Sequence, residues 1–195
     1  YNGSGVMPGR TWVIAPDAGS LNKRVAALLV EKDAARKELL FHPHLNKGEL
    51  GDRHTNKLIR EQLKGHPHHA VSIASERGPP NAPIRYAFRS FDRQWIILDG
   101  RLINRPNPTL WTEFSNAQVF LTAPEDRTPT NGPALTLTAL IPDLHHYHGR
   151  GGRVFPLWAD EAGRQLNVKL DLLSHLSRIL GAAVTAEDFF AYLAS

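Results

Sequence analysis

Arginines and aromatic residues are interleaved along one short stretch of this sequence, from Ile84 to Trp111. Guanidinium groups can hold phosphates or donate paired hydrogen bonds to guanine, while aromatic rings supply packing or stacking. The pattern therefore indicates a surface that touches nucleic acid. The candidate side chains are Arg85, Arg89, Arg93, Arg101 and Arg105, interleaved with Tyr86, Phe88, Phe91, Trp95 and Trp111.

Strand geometry limits how many of these side chains can face a ligand. If Ile84–Phe88 is a β-strand, Arg85 and Ala87 share one face while Tyr86 and its even-numbered neighbours share the other. Because such a strand buries one side, we expect most rings to be structural and two or three arginines to face a ligand. A network of ion pairs with Asp92 and Asp99 is an equally supported role for the arginines.

A histidine-rich and glycine-rich segment near residue 150 is the second candidate. Cysteine is absent and no His-Glu-x-x-His pattern occurs, so a zinc site is not expected. Adjacent histidines on an extended chain also point to opposite sides. We instead predict contacts to phosphates or base edges, with ordinary surface histidines as the alternative. The residues concerned are His145, His146, His148, Arg150 and Arg153.

The elements that must position these residues define an α+β fold with a mostly antiparallel sheet that could be curled. A short strand is expected at Thr11–Ala15. A helix capped by Asp17 or Ser20 should run to Leu40, and a second one, Asp52–Leu63, should carry phosphate-binding Lys57, Arg60 and Lys64. The remaining predicted strands are Val71–Ala74, Ile84–Phe88, Trp95–Leu98, Gln118–Leu121, Leu135–Leu140 and Arg153–Leu157. Flanking helices follow at Asn167–Leu180 and Thr185–Leu193, the last with Thr185 and Asp188 placed as in a capping box.

No catalytic centre can be assembled from these residues. The chain has no Gly-x-Ser-x-Gly elbow, no cysteine nucleophile and no glycine-rich cofactor loop. Thr109 follows Asn107-Pro108, so the Asn/Asp-Pro-Pro-aromatic signature of amino-methyltransferases is missing. A small metal-dependent nuclease that uses Asp143 and the histidine loop is a minor alternative. We therefore predict no catalytic residue and no metal site in this chain.

The bulk properties permit DNA binding without requiring it. The 195 residues carry a formal net charge of +4, ten histidines and no cysteine. The cysteine count favours a reducing, cytoplasmic location, and no membrane-spanning segment is apparent. We expect a single domain over residues 1–195, with a basic helical part at 17–65, a β-rich part at 70–160 and C-terminal helices at 167–193. The first residue, Tyr1, and the abrupt end at Ser195 suggest a fragment of a larger polypeptide.

Several segments in order resemble the C-terminal region of type ISP restriction-modification enzymes. They are GVMPGRTWVIAPD, LFHPHLNKGELGDRH, IRYAFRSFDRQWIILDGRLINRPNPTLW, PALTLTALIPDLHHYHGRGGRVFPLW and NVKLDLLSHLSRILGAAVTAEDFFAYLAS. The piece RSFDRQW corresponds to the family's usual Arg-Pro-Phe-Asp-x-Arg-Trp, with Ser90 in place of proline. That difference should alter a local turn and leave the roles of Arg89, Asp92, Arg93 and Trp95 unchanged.

The resemblance implies a target-recognition domain that holds duplex DNA and chooses the sequence to be methylated. The parent would be an adenine-specific DNA methyltransferase or restriction enzyme. S-adenosylmethionine, together with ATP and Mg²⁺ where these are used, would belong to that parent and not to these residues. The alternative is an internal domain that docks on the methyltransferase or translocase parts without reading sequence.

Overall fold

The computed structural model describes residues 1–41, 63, 71–79, 81–125, 130–147 and 151–195. The chain forms two compact units. The first unit comprises Tyr1–Val6, Ala87–Asp92 and Thr109–Ser195, and the second comprises Met7–Tyr86 and Arg93–Pro108. The division into a single domain with three successive parts stays a prediction.

The second unit contains the N-terminal helices and most of a three-stranded sheet. A 3₁₀ turn at Thr11–Val13 leads into strand β2 (Ile14–Ala15), followed by helices α1 (Ala18–Val30) and α2 (Ala34–Phe41). Asp17 caps α1 as predicted, because its carboxylate accepts the backbone N–H of Ser20 at 2.7 Å. The predicted apolar face of α1 is buried through Leu21, Val25, Leu28 and Leu29.

The single long helix predicted to reach Leu40 is wrong. Glu31 has an extended backbone (ψ 129°), and its carboxylate accepts the N–H groups of Lys32 and Asp33 at 2.8 and 2.9 Å. Asp33 then accepts the N–H of Arg36 at 2.8 Å at the beginning of α2. Acidic side chains that bond to nearby backbone N–H groups thus end one helix and start the next.

The strand predicted at Val71–Ala74 is also wrong. The chain turns there, with the N–H groups of Ser75 and Glu76 donating to the Ser72 carbonyl at 3.1 and 2.9 Å. Ile73 is fully buried, so the apolar pattern reports burial and not strand pairing. The predicted helix Asp52–Leu63 lies almost entirely outside the described residues.

The first unit contains a four-stranded antiparallel sheet. Its core joins the sheet to the two C-terminal helices and is built around buried Leu121, Leu157, Leu173, Ala186 and Phe190. Its strands, in the order in which they pair across the sheet, are β1 (Gly3–Ser4), β7 (Gly152–Pro156), β5 (Phe120–Pro124) and β6 (Thr136–Thr138). Helix α3 (Pro108–Thr112) begins at the boundary between the units, and α4 (Leu170–Leu180) and α5 (Ala186–Leu193) end the chain.

The end of α4 and the beginning of α5 are determined by residues close to them along the chain. Gly181 ends α4 in the left-handed conformation (φ 65°), which glycine adopts without strain. The predicted capping box at α5 is confirmed. Thr185 Oγ1 accepts the Asp188 N–H at 3.1 Å while the Asp188 carboxylate accepts the Thr185 N–H at 3.0 Å.

The predicted α+β class is confirmed, and the described residues form five α-helices and two antiparallel sheets that do not close into a barrel. Within the ranges given above, no helix has the length and apolar character needed to cross a bilayer.

Candidate nucleic-acid interface

The arginine-aromatic stretch folds as a β-hairpin. Strand β3 (Pro83–Arg89) and strand β4 (Asp92–Ile97) are joined by only two residues, Ser90 and Phe91. Both predicted strands are therefore confirmed. Strand β4 lies between β2 and β3 in its sheet.

Burial along the hairpin separates core side chains from accessible ones. Tyr86 and Ile96 are fully buried, whereas Arg85 and Arg93 are exposed. The guanidinium carbon of Arg85 lies 5.3 Å from the Trp95 ring centroid, a cation-π distance. This contact orients the guanidinium while its N–H donors stay available. Arg105 is exposed as well. The ion pairs among the described residues do not involve any of these three arginines.

Arg89 is held in place by a buried carboxylate. Its Nη1 donates to Asp143 Oδ1 at 2.9 Å, with Asp143 only 3% exposed and the Arg89 side chain 41% exposed. The guanidinium carbon also lies 3.8 Å from the Phe88 ring centroid. Asp143 Oδ1 accepts the His145 N–H at 2.7 Å too, so the carboxylate is fixed from two sides. Arg89 is therefore anchored at one edge and accessible at the other.

Backbone pairing joins the hairpin tip to the segment that precedes the histidine loop. The Ala87 N–H donates to the Ile141 carbonyl at 3.0 Å, and the Asp143 N–H donates to the Ala87 carbonyl at 2.9 Å. On the other side of this segment, the Val6 N–H donates to the Pro142 carbonyl at 2.9 Å. Residues 141–144 thus lie between two partners in parallel bridges. The two motifs that the sequence marked separately are brought together in the first unit.

The N-terminal segment lies so close to the backbone at Asp143 that only glycine fits at position 5. A Cβ atom placed on Gly5 would lie 2.4 Å from the Asp143 carbonyl oxygen. Any larger residue would push this segment away from the backbone of the Asp143 loop. Gly5 was not selected by sequence reasoning, because nothing local marks it.

The two described histidines of the loop differ in environment. His146 is 2% exposed, and its Nδ1 lies 3.0 Å from Thr122 Oγ1. Burial, aided by the positive charge of Arg89, lowers the pKa of His146 to about 4. His145 is partly exposed, with Nδ1 3.6 Å from Asp143 Oδ1. His146 is therefore a neutral, buried residue, and His145 is the accessible one.

Arg101 is buried in a carboxylate network of the second unit. Its guanidinium donates to Asp99 Oδ2 through Nη2 at 2.7 Å and to Glu76 Oε2 through Nη1 at 2.6 Å. A further bond from Nη1 reaches the Val71 carbonyl at 3.1 Å. The predicted network with Asp99 therefore exists for this arginine, which is 4% exposed.

Arg153 lies on β7 with an exposed side chain. Its Nη2 is 3.0 Å from Glu125 Oε1 on a half-exposed carboxylate, which makes this a solvent-screened surface pair. Neighbouring Gly152 permits close strand pairing, since a Cβ there would lie 2.7 Å from the Ala123 carbonyl oxygen. The other predicted site residues lie outside the described residues: Lys57, Arg60, Lys64, His148 and Arg150.

Metal chemistry receives no support from the described geometry. Within those ranges, no three His, Asp or Glu side chains are grouped so as to hold an ion. Asp143 is instead engaged by Arg89 and by the backbone of His145.

Comparison with known proteins identifies the family. The family model described as the type ISP C-terminal specificity domain matches residues 1–195, the whole chain. No curated protein is significantly similar to the chain.

Two solved structures are similar to the chain at low sequence identity. One is described as a cryoEM structure of a DrdV–DNA complex, with a TM-score of 0.59 and 16% identity over 99% of this chain and 19% of that chain. The other is a nuclease-deletion mutant of the type ISP restriction-modification enzyme LlaGI in complex with a DNA substrate mimic, with a TM-score of 0.49 and 16% identity over 92% of this chain and 15% of that chain. The chain thus spans less than a fifth of the length of either protein. Because the family model covers every residue, the chain belongs to the type ISP C-terminal specificity domains, the target-recognition part of type ISP restriction enzymes.

Proposed function

We propose that this domain binds duplex DNA and selects the sequence on which a type ISP enzyme acts. The observation that carries the proposal is the β3–β4 hairpin, which presents exposed Arg85 and Arg93 and anchored, half-accessible Arg89 within a specificity domain. The DNA-bound state named in the description of DrdV, whose fold resembles this one, supports the same function.

The arginines divide by how firmly they are oriented. Arg89 and Arg85 are pre-positioned by Asp143 and by Trp95, and a guanidinium of fixed orientation suits paired hydrogen bonds to guanine. Arg93, Arg105 and Arg153 lack such rigid support and suit phosphate contacts, which position a duplex without reading it. We leave Arg101 and His146 out of the DNA-facing set because both are buried with their polar atoms engaged.

The test is titration of labelled duplex DNA with the chain at several salt concentrations. Each phosphate neutralised by Lys or Arg should contribute about −0.9 to the slope of log K against log salt. We expect a clearly negative slope. Absence of binding at low salt, or a slope of zero, would refute the proposal.

Single substitutions test the assignment of roles. Arg93→Ala should reduce the salt slope by about 1 and weaken binding to all sequences alike. Arg89→Ala should cost about 1–3 kcal/mol on the selected sequence and relax specificity at one position. The matched control is Arg178→Ala on α4, an exposed arginine outside the hairpin. A control variant that loses as much affinity as Arg93→Ala would contradict the assignment to the hairpin.

We infer further that the parent is an S-adenosylmethionine-dependent adenine DNA methyltransferase, with ATP and Mg²⁺ used by its translocase and nuclease parts. Family membership supports this inference. Incubating the full-length enzyme with DNA and labelled S-adenosylmethionine tests it. Methyl transfer to adenine is the expected result, and transfer to cytosine or none would overturn it.

Docking on another part of the parent enzyme is the second candidate function. It is favoured by apolar side chains exposed on helix α4: Leu170 is 66% exposed, Ile179 65% and Leu180 66%. Apolar groups in such numbers mark a site of protein contact. Exchange of residues 144–153 in the full-length enzyme separates the two functions. A changed recognition sequence supports DNA reading, whereas loss of stability with unchanged specificity supports docking.

A further inference from the structure

One aromatic side chain of the hairpin, Phe91, lies outside the core. Phe91 is 103% exposed, more than any other large hydrophobic residue in the described part of the chain. It occupies a two-residue turn, where glycine, asparagine, aspartate, serine and proline are the usual residues. Core packing therefore does not account for Phe91, and neither does turn chemistry.

The turn that carries Phe91 is firmly supported. Ser90 Oγ donates to the His146 carbonyl at 3.0 Å, directly beside the phenylalanine. Four residues before Phe91, Ala87 makes backbone hydrogen bonds at 2.9 and 3.0 Å, and Arg89 forms its ion pair with Asp143. The ring is thus exposed to solvent on an ordered element. Less conformational entropy would therefore be lost when a ligand contacts it.

The charges around Phe91 favour a polyanion over an apolar protein or lipid partner. Arg89 and Arg93 lie two positions to either side, and Arg93 is exposed. Asp92 is the acidic residue next to the ring, and it is engaged in an interaction of its own. Beyond the pairing of β4 with β2 at Trp95 and Ile96 and the bridge from Ala87 to Pro142, the end of the hairpin is two-stranded. A two-stranded β-ribbon fits the major groove of B-DNA. Cationic flanks can hold the phosphates while the tip reaches the bases.

We propose that Phe91 is the base-contacting tip of the specificity domain, with its ring against bases of the target duplex and the neighbouring arginines on phosphates or guanine. The proposal rests on the proposed DNA-binding function and adds a specificity residue to it. Two base chemistries present an apolar surface to such a ring: the thymine methyl group in the groove and the face of a partly unstacked base.

The decisive comparison uses the 195-residue chain, Phe91→Ala, and Tyr192→Ala as a matched control that removes an exposed aromatic ring from α5. Selection from a random-sequence duplex pool by the unmodified chain supplies the target. Phe91→Ala should bind the selected duplex about 5- to 150-fold more weakly, the range for losing about 1–3 kcal/mol of aromatic contact to a base. Its salt slope should be unchanged, because no cation is removed. Phe91→Trp should restore binding, and Tyr192→Ala should bind as the unmodified chain does.

The possible failures are distinguishable. If the unmodified chain does not bind duplex DNA, the proposed function fails and this inference fails with it. If it binds with a normal salt slope but Phe91→Ala and Tyr192→Ala both match it, only the Phe91 proposal is overturned. Because Phe91 is fully exposed, its replacement should leave the melting temperature unchanged, and circular dichroism verifies that the variant is folded.

Modified DNA separates the two base chemistries. A selected duplex with uracil in place of thymine lacks the methyl groups but keeps its pairing. If it loses affinity for the unmodified chain and not for Phe91→Ala, the ring contacts a thymine methyl. If affinity is unaffected by uracil but rises at a mismatched step, where unstacking costs less, the ring acts as a wedge. If neither change distinguishes the two proteins, the base contact is refuted.

Discussion

We expect the replacement of Arg101 by alanine to lower the free energy of unfolding of the chain. Because Arg101 is buried, the exposed arginines of the hairpin should be unaffected. In Arg101→Ala, Asp99 and Glu76 would lose the side-chain donors that now lie 2.6 to 3.2 Å from their oxygens. Both carboxylates are buried, with side-chain exposures of 5% and 9%. Two negative charges would then remain in a poorly solvated site.

The magnitude follows from what each carboxylate keeps. Breaking a buried ion pair by removing one partner costs about 3–5 kcal/mol. Asp99 retains the backbone N–H of residue 101 at 2.9 Å, and Glu76 retains those of Arg77 and Gly78 at 2.9 and 2.7 Å. These donors place the loss at the lower end, about 3 kcal/mol, or roughly a hundredfold in the folding equilibrium.

The pH dependence supplies a second readout. Burial alone would raise the pKa of Glu76, but the hydrogen bonds from Arg101 and from the Gly78 and Arg77 N–H groups outweigh it and lower the pKa to about 2. Because the unfolded value is near 4.5, this group stabilises the fold above that pH, and the contribution is lost as the pH falls towards 2. Arg101→Ala should shrink this acid-sensitive contribution.

Urea denaturation at neutral pH measures the effect, with Arg93→Ala as the control. Arg93 is exposed, and its replacement should change the free energy of unfolding by less than about 0.5 kcal/mol. If Arg101→Ala were as stable as the control, the buried network would not stabilise the fold as reasoned. Loss of DNA affinity by a fully folded Arg101→Ala would instead assign this arginine to the interface.

Two further predictions concern Ser90 in the hairpin turn and His146, whose carbonyl accepts the Ser90 hydrogen bond. Ser90→Ala removes the hydrogen bond to the His146 carbonyl and should lower the free energy of unfolding by about 0.5–1.5 kcal/mol. Thermal unfolding measures the effect, with Ser174→Ala on α4 as the control. If the two variants were equally stable, the Ser90 hydrogen bond would not stabilise the fold. His146 has a folded pKa of about 4 against 6.5 unfolded, so the unfolded chain binds more protons between these values and stability should fall as the pH drops from 6.5 to 4. The loss is on the order of 3 kcal/mol, and His146→Asn should flatten it; the same slope in both proteins would refute a buried neutral His146.

Local signals in the sequence predicted much of the fold. Asp17, Thr185 and Asp188 cap the helices they were expected to cap, because a cap bonds to backbone within a few residues. The alternation around Tyr86 and Ile96 predicted both hairpin strands. Two predicted elements were wrong because side-chain hydrogen bonds or burial produced a structure that the apolar spacing did not indicate. Glu31 and Asp33 bond to nearby backbone N–H groups and divide a helix that had continuous apolar spacing. The apolar run at Ile73 belongs to a buried turn and not to a strand.

The candidate site was only partly predictable. The sequence selected Arg89 and the histidine loop as separate features, and it left open whether arginines bind DNA or pair with carboxylates. One stretch contains both environments: Arg101 is buried between carboxylates, whereas Arg93 is exposed. Exposure of Phe91 was not foreseen, because a phenylalanine beside strand residues is expected to be core.

The sequence by itself determined the α+β class, the principal helix caps, the hairpin and the family resemblance. These depend on periodicity and on bonds between residues close along the chain. Only the tertiary structure decided which arginines are free to meet DNA. That choice depends on carboxylates 25 and 54 residues away, Glu76 for Arg101 and Asp143 for Arg89, together with how deeply each pair is buried. Ion pairing and desolvation act through space, and residue spacing along the chain does not encode them directly.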